Sequence, residues 1–246
     1  MLSEEQVSQY QADGHLTVPG VFSSQQMDLA LAEIETWGDE FRAQMNTQER
    51  SWYLEDPADP TSPLRKLDNP VFHREYFQEL AKGPALVEAV EQLIGKGVGV
   101  FFSQVFCKSP EGGGPKPVHQ DNYYFDPDDT DALVTAWIAF DEATVENGCL
   151  HYADGSQQES LLEHTAPENE PFNLQINQST AANYSMKPAP VPRGGVSFHH
   201  GNILHQSSSN LSSKPRRAAA FHYLRNNSRL VDSPLPFDET RRVTVS

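Results

Sequence analysis

Two residue types that bind divalent metals stand two positions apart in Pro117-Val118-His119-Gln120-Asp121. In an extended chain, side chains at i and i+2 leave the same face, so the His119 imidazole and the Asp121 carboxylate can grip one ion together. Two imidazoles and one carboxylate on one face of Fe(II) leave open positions for oxygen and an organic cosubstrate. The chain holds 9 histidines and 34 acidic residues in 246, so about one His-x-acid pair arises by chance and a third ligand must come from elsewhere.

Among the other histidines, His15, His73 and His164 lie in helical or loop text, and His151 and His222 read as hydrogen-bonded strand residues. His199, His200 and His205 cluster in Phe198-His199-His200-Gly201-Asn202-Ile203-Leu204-His205-Gln206-Ser207, and spacing does not choose among them. Eleven positions after His205, Arg216 heads a segment in which alternation puts it on one face with Ala218 and Ala220. An arginine turned into a small-residue interior needs an anion, and its fork holds a carboxylate bidentately. The alternative is an arginine at a strand end paired with a surface acid.

These residues must be held by elements that the pattern outlines. Ser3-Glu4-Glu5-Gln6 and Ser23-Ser24-Gln25-Gln26 are capping-box sequences. The first opens a helix ending near Gly14, with a strand over His15–Val18. The second opens a longer helix, on which Met27, Leu31, Ile34, Trp37 and Phe41 make one apolar face suited to packing on a sheet. Residues 52–70 read as loop, with three X-Pro turn signals. Helical text then resumes, and Leu86, Val90, Leu93 and Ile94 form its apolar face before Gly95. From Val98 the character is β. Leu133 to Asp141 alternates so that Thr135 and Trp137 share one side and Val134, Ala136 and Ile138 the other, which gives a partly polar interior. Gly112-Gly113-Gly114 lacks the GK[ST] ending of a phosphate loop and reads as a turn. Residues 164–192 form a polar, Pro-rich stretch, read as a long insertion or lid. Many short strands after helices point to a closed or sandwiched antiparallel β-domain with helical support.

With these residues in order, the chain resembles the phytanoyl-CoA dioxygenase family of Fe(II)/2-oxoglutarate-dependent oxygenases. The likeness rests on His119-Gln120-Asp121, on Trp137-Ile138-Ala139-Phe140-Asp141 leading to Glu146-Asn147-Gly148-Cys149-Leu150 and Gly155-Ser156, and on His205-Gln206-Ser207 with Asn210, Ser212 and Arg216. It runs from about Leu2 to Leu224. It implies a mainly β fold with helical support: a double-stranded β-helix, or jelly roll, with N-terminal helices packed on it. Residues 1–97 would be the mainly helical support, 98–224 the jelly-roll core and 225–246 a C-terminal tail of one domain, 1–246.

The resemblance makes His119, Asp121 and His205 the iron ligands and the catalytic residues. Arg216 and Ser207 would hold the distal carboxylate of 2-oxoglutarate, and Trp137, Gln104 and Lys66 match cosubstrate-pocket positions. His199 and His200 would stand behind the ligands or on the substrate side. Asn122, Tyr123, Tyr124, Phe106 and His199 are the substrate-pocket candidates. With O2, the implied reaction is hydroxylation of a small organic molecule with release of succinate and CO2. Related halogenases lack the carboxylate that Asp121 supplies. The sequence departs from the founding phytanoyl-CoA enzymes in its shorter N-terminus and in showing no peroxisomal signal, so an acyl-CoA substrate is not implied. A zinc-dependent hydrolase using the same three ligands and a non-catalytic ligand-binding sensor are the rival readings.

Bulk properties bound the partners. A net charge of −16 disfavours a nucleic-acid partner, which needs a basic patch. The acidic run Asp126, Asp128, Asp129 and Asp131 reads as a solvated loop, or alternatively as a rim favouring a cationic substrate. Only Cys107 and Cys149 are present, so buried thiols in a reducing cytoplasm are expected. No basic stretch followed by an apolar run opens the chain, and 18 apolar residues never occur together, so neither secretion nor a membrane is expected. The implied partner is a small-molecule substrate, and oligomeric state is left open.

Overall fold

The computed structural model describes residues 1–168 and 173–246. Ser3 opens α1 (Glu4–Asp13) with a reciprocal cap, in which the serine hydroxyl accepts the Gln6 N–H and the Gln6 amide oxygen accepts the serine N–H. Such a cap contributes about 1 kcal/mol. Gly14 ends the helix at φ 81°, a left-handed conformation that costs glycine little, and the reversal delivers β1 (His15–Val18). Ser23 and Gln26 repeat the cap at α2 (Ser24–Gln44).

Next come α3 (Arg50–Tyr53), β2 (Lys66–Asp68), α4 (Pro70–His73), α5 (Glu75–Ala81) and α6 (Pro84–Ile94). The expected loop over 52–70 therefore contains a strand, because Lys66–Asp68 pairs with Gln104–Phe106. Three residues are too few to display alternation. The β region proper comprises β3 (Val98–Lys108), β4 (Lys116–His119), β5 (Leu133–Ala139), β6 (Leu150–Tyr152), β7 (Lys187–Ala189), β8 (Val196–His200), β9 (His205–Ser207) and β10 (Arg216–Arg225). It also holds the short helices α7 (Asp121–Phe125) and α8 (Gln178–Ala181), and β11 (Val243–Thr244) closes the chain.

Two antiparallel sheets result. The larger runs β1-β8-β5-β10-β3-β11, with β2 also on β3, and the smaller runs β4-β9-β6-β7. Alternation assigns the faces: Val134, Ala136, Ile138, Phe198, Ala219 and Phe221 pack outward against Met27, Ile34, Phe77, Leu86 and Val90 of the helices. Trp137, Ala139, Ala218 and Ala220 point inward, toward Leu150, Tyr152 and Ile203. Each buried branched side chain contributes about 1.5–3 kcal/mol, so the helical third is the outer layer of the large sheet.

The expected lid over 164–192 includes residues 169–172, which lie outside the described residues. The flanking parts are tied to the β-domain: Ile176 N–H donates to Val118 O at 3.0 Å, and β7 pairs with β6. Residues after β10 also run back over the domain. Phe237 packs against Phe101, Phe102 and Phe125, with ring centroids 6.3, 5.1 and 5.0 Å apart, and β11 pairs with β3. No helix among the described residues is long and apolar enough to cross a membrane.

Candidate metal centre

β4 ends at His119, Gln120 stays extended at φ −121° and ψ 130°, and Asp121 is the first residue of α7. The expected continuous strand is thus broken at Gln120. The i, i+2 relation survives because only Gln120 separates the two ligands. Between Lys116↔Ser207 and His119↔His205 the β4–β9 pairing slips by one residue. Pro117, which lacks a ladder donor, stands in this irregularity, where a bulge tolerates it. The slip sets His119 directly across from His205, with ring centroids 4.1 Å apart.

His119, Asp121 and His205 are all buried, and their ligand atoms lie within 4.8 Å of one another. Asp121 Oδ1 is 3.7 Å from His119 Nε2 and 3.6 Å from His205 Nε2. His119 Nδ1 donates to Pro117 O at 2.8 Å, and His205 Nδ1 donates to Ile203 O at 3.1 Å. Both bonds fix the tautomer that leaves the Nε2 lone pair free for a metal. Burial, with the positive ends of His205 and Lys116, pushes His119 well below its usual value. Burial likewise pushes His205 down to about 4, with Asp121 opposing. Both rings are therefore neutral at neutral pH.

Burial would raise the Asp121 carboxyl, but His205, His199 and His222 around it hold it well below the usual range. Its other oxygen is already engaged. Oδ2 accepts the Thr135 hydroxyl at 2.6 Å and the His199 Nε2–H at 3.1 Å. Since Thr135 donates to Asp121, His222 Nδ1, 2.8 Å away, donates to Thr135. Tyr152 OH meets His199 Nδ1 at 3.0 Å and Ser197 Oγ at 2.9 Å. Oδ1 is thereby the free ligand atom, and His199, which lies on β8 in the other sheet, orients it. Thr135, Tyr152 and His222 carry no recognisable motif; only the inward register of β5 pointed to Thr135.

The triad faces a cavity of ≈ 580 Å³, a size that suits a small organic ligand. Arg216, Ser207, Trp137, Gln104, Lys66, Phe106, Tyr124 and His199 also line it. Arg216 is buried at 2 % exposure, so it is not a surface strand-end residue. Its guanidinium carbon lies 5.3 Å from the Trp137 ring centroid, and its Nε has no hydrogen-bond partner among the described residues. Burial lowers it only to about 10, leaving it charged at neutral pH. The surface acid instead pairs with its neighbour: Arg217 Nε donates to Asp141 Oδ2 at 2.8 Å.

Gln104 and Lys66 are both committed to Asp68, a residue not singled out from the sequence. Gln104 Nε2 donates to Asp68 Oδ1 at 2.8 Å, and Lys66 Nζ pairs with Asp68 Oδ2 at 3.0 Å. Tyr53 OH also donates to Asp68. Among the substrate candidates, Asn122 and Tyr123 are not in the cavity. Asn122 is fully buried and donates to Thr130 O and Asn202 Oδ1, and Tyr123 stacks on His164 at 4.1 Å. A helix rather than a strand begins at Asp121, and its turn carries these two side chains away. His200 likewise turns outward to Asp131, at 3.1 Å. The acidic run forms no rim: Asp129 pairs with Arg225, Asp128 with Arg229 and Asp131 with His200, and none of the four lines the cavity.

The donor set fits iron, since two neutral imidazoles and one carboxylate oxygen converge while other directions stay open. The orphaned Arg216 in the same cavity fits a carboxylate ligand. Two antiparallel sheets around a two-histidine, one-carboxylate triad define the double-stranded β-helix class of non-haem iron oxygenases. The model of the family described as "Phytanoyl-CoA dioxygenase (PhyH)" matches residues 10–218. The chain belongs to this family of Fe/2-oxoglutarate-dependent oxygenases. It is 26% identical to "Phytanoyl-CoA dioxygenase domain-containing protein 1" of Rattus norvegicus, over 91% of this chain and 90% of the relative.

Solved structures share the fold. The carbocyclase SnoK, described as non-heme and alpha ketoglutarate dependent, from nogalamycin biosynthesis superposes with a TM-score of 0.77 at 21% identity, covering 100% of this chain and 97% of SnoK. EctD from S. alaskensis, solved with bound Fe, gives 0.78 at 17% identity, covering 95% and 80%.

Proposed function

We propose that the protein is an Fe(II)- and 2-oxoglutarate-dependent hydroxylase of a small organic molecule. The observation that carries this reading is the charged, buried Arg216, without a carboxylate partner among the described residues, in the same cavity as His119, Asp121 and His205. A hydrolytic zinc site needs the three ligands and a water but no such seat. When bound, iron and 2-oxoglutarate would supply the oxidising power, with O2 consumed and succinate and CO2 released.

The chain's own residues do the positioning. The neutral Nε2 atoms of His119 and His205 and the Oδ1 of Asp121 hold the ion. Arg216 and Ser207 take the distal carboxylate of 2-oxoglutarate, and Trp137, packed beside the guanidinium, keeps water from that charge pair. Phe106, Tyr124 and Phe237 line the cavity beside these groups and supply apolar surface for the substrate's body. The presence of Asp121 favours hydroxylation over halogenation, because no ligand position is vacated for a halide.

The test is a substrate screen read by succinate formation from 2-oxoglutarate with Fe(II). The expected result is iron-dependent succinate release that a substrate accelerates. Turnover with zinc and none with iron would replace this reading by the hydrolase. Ligand binding with no succinate from any candidate would replace it by the sensor.

A further inference from the structure

We infer that Lys108 is a second cation at the cosubstrate seat, and that binding of the 2-oxo acid there takes up a proton on Lys108. The inference rests on the proposed 2-oxoglutarate reading and adds a residue and a pH linkage to it. β3 and β10 pair with Lys108 directly opposite Arg216, and directly opposed residues of antiparallel strands project from the same face. Both side chains are buried, at 7 % and 2 % exposure, and both line the cavity that holds the triad. Among the described residues neither has a carboxylate within 4.0 Å.

Two buried cations side by side repel each other, and one of them can shed its charge. Lys108 Nζ donates to Gly114 O at 2.5 Å and to Ser208 O at 2.6 Å. A neutral amine has two N–H groups, so these two carbonyls satisfy it completely. The ammonium has a third N–H, left over for an anion in the cavity. Burial and the Arg216 charge push Lys108 down to about 7, with Glu55 opposing.

The groups that face Lys108 from the packed elements are few. Arg216 on β10 titrates near 10, outside the physiological range. Glu55, whose Oε1 accepts the Ser109 N–H at 3.3 Å, acts on Lys108 in the opposite sense to Arg216. The Gly114 and Ser208 segments meet the Lys108 amine through their carbonyl oxygens. Lys108, at about 7, is a group here whose charge changes around neutrality.

The direction of the linkage follows. Free Lys108 is charged below about pH 7 and neutral above it. A distal carboxylate at Arg216 favours the charged form and raises the Lys108 pKa. Above pH 7 each binding event then takes up a proton, and affinity falls by up to about tenfold per pH unit until the raised pKa is passed.

The experiment measures dissociation constants of 2-oxoglutarate and of pyruvate for the Mn(II)-saturated protein by calorimetry at pH 6.5, 7.5 and 8.5, in buffers of different ionisation enthalpy. Pyruvate has the same metal-chelating end and no distal carboxylate. We expect 2-oxoglutarate to weaken at least threefold from pH 6.5 to 8.5 with proton uptake, and the pyruvate constant to change less than twofold. Lys108→Met should weaken 2-oxoglutarate about tenfold at pH 6.5, the worth of one charged hydrogen bond, and abolish its pH dependence. Lys108→Arg, charged throughout, should bind with no pH dependence.

A lysine that merely staples the two loops would shift both ligands equally and leave the pH profile of their ratio unchanged. That result overturns the inference, as does a pH-independent wild type or a Lys108→Met variant that keeps the wild-type profile. Failure of the wild type to bind 2-oxoglutarate at any pH overturns the underlying reading, and the inference falls with it.

Discussion

Thr135→Val removes one hydroxyl and nearly preserves shape, and the site predicts two separable consequences. The hydroxyl donates to Asp121 Oδ2 at 2.6 Å in a buried setting and accepts from His222 Nδ1 at 2.8 Å. A hydrogen bond to a charged group contributes about 1.5–3 kcal/mol, which corresponds to about 10- to 100-fold in an equilibrium constant. Without it, Oδ2 keeps, among the described residues, the His199 donor at 3.1 Å alone, and the carboxylate can rotate out of the direction that aims Oδ1 at the metal. Metal affinity should fall by about 10- to 100-fold.

Separately, the His222 N–H loses its acceptor: Asp121 Oδ2, at 3.6 Å, is beyond hydrogen-bond distance, and Phe101, Phe102 and Phe125 pack on the ring. An unsatisfied buried donor costs about 1–3 kcal/mol, and about 2–4 °C of thermal midpoint follows per kcal/mol at this chain length. Adding His222→Phe to Thr135→Val removes that orphan among aromatic neighbours. The double variant should regain stability and stay weak for metal. Anaerobic Fe(II) titration by calorimetry, with thermal melts of the apo-protein, reads both effects. Metal affinity within twofold of wild type in Thr135→Val would refute the orienting role of the hydroxyl. Recovery of metal affinity in the double variant would show that lost packing, not lost aim, was the cause.

Separate alanine variants of His199, His200 and His205 should rank clearly in anaerobic Fe(II) binding. His205→Ala loses tight binding, His199→Ala weakens it, and His200→Ala leaves it near wild type; tight binding by His205→Ala would overturn the ligand assignment. Arg216→Ala should chiefly raise the 2-oxoglutarate concentration needed for turnover, and an unchanged requirement would remove it from the seat. Gly201→Ala puts a Cβ 1.9 Å from Asn122 Oδ1, beside the residue that follows Asp121. Overpacking of this kind costs about 1–3 kcal/mol, so the melting midpoint should drop by several degrees, and an unchanged melt would show that Asn122 can move aside freely.

Local patterns carried much of this protein in the sequence. The caps at Ser3 and Ser23 depend on side chains within three residues, and they form as read. The alternation of Leu133–Ala139 assigned Thr135 and Trp137 to the interior because a strand repeats every two residues. His119 and Asp121 are separated by one extended residue, so their convergence is a local property too. Family resemblance supplied His205 and the jelly roll, which no local pattern determines.

Tertiary structure decided what depends on distant pairing. His205 meets His119 because a one-residue slip at Pro117 aligns β4 with β9, and such a slip is set by the two strands together. His199 reaches Asp121 from the opposite sheet, across 78 residues of chain. Asn122 and Tyr123 leave the cavity because a helix starts at Asp121, where the His-x-Asp pattern reads equally well as strand. Lys108 stands across from Arg216 only through the β3–β10 register. The sequence by itself determined which side chains could bind a metal; strand register and sheet closure decided which ones face each other, because those contacts join segments that no local periodicity connects.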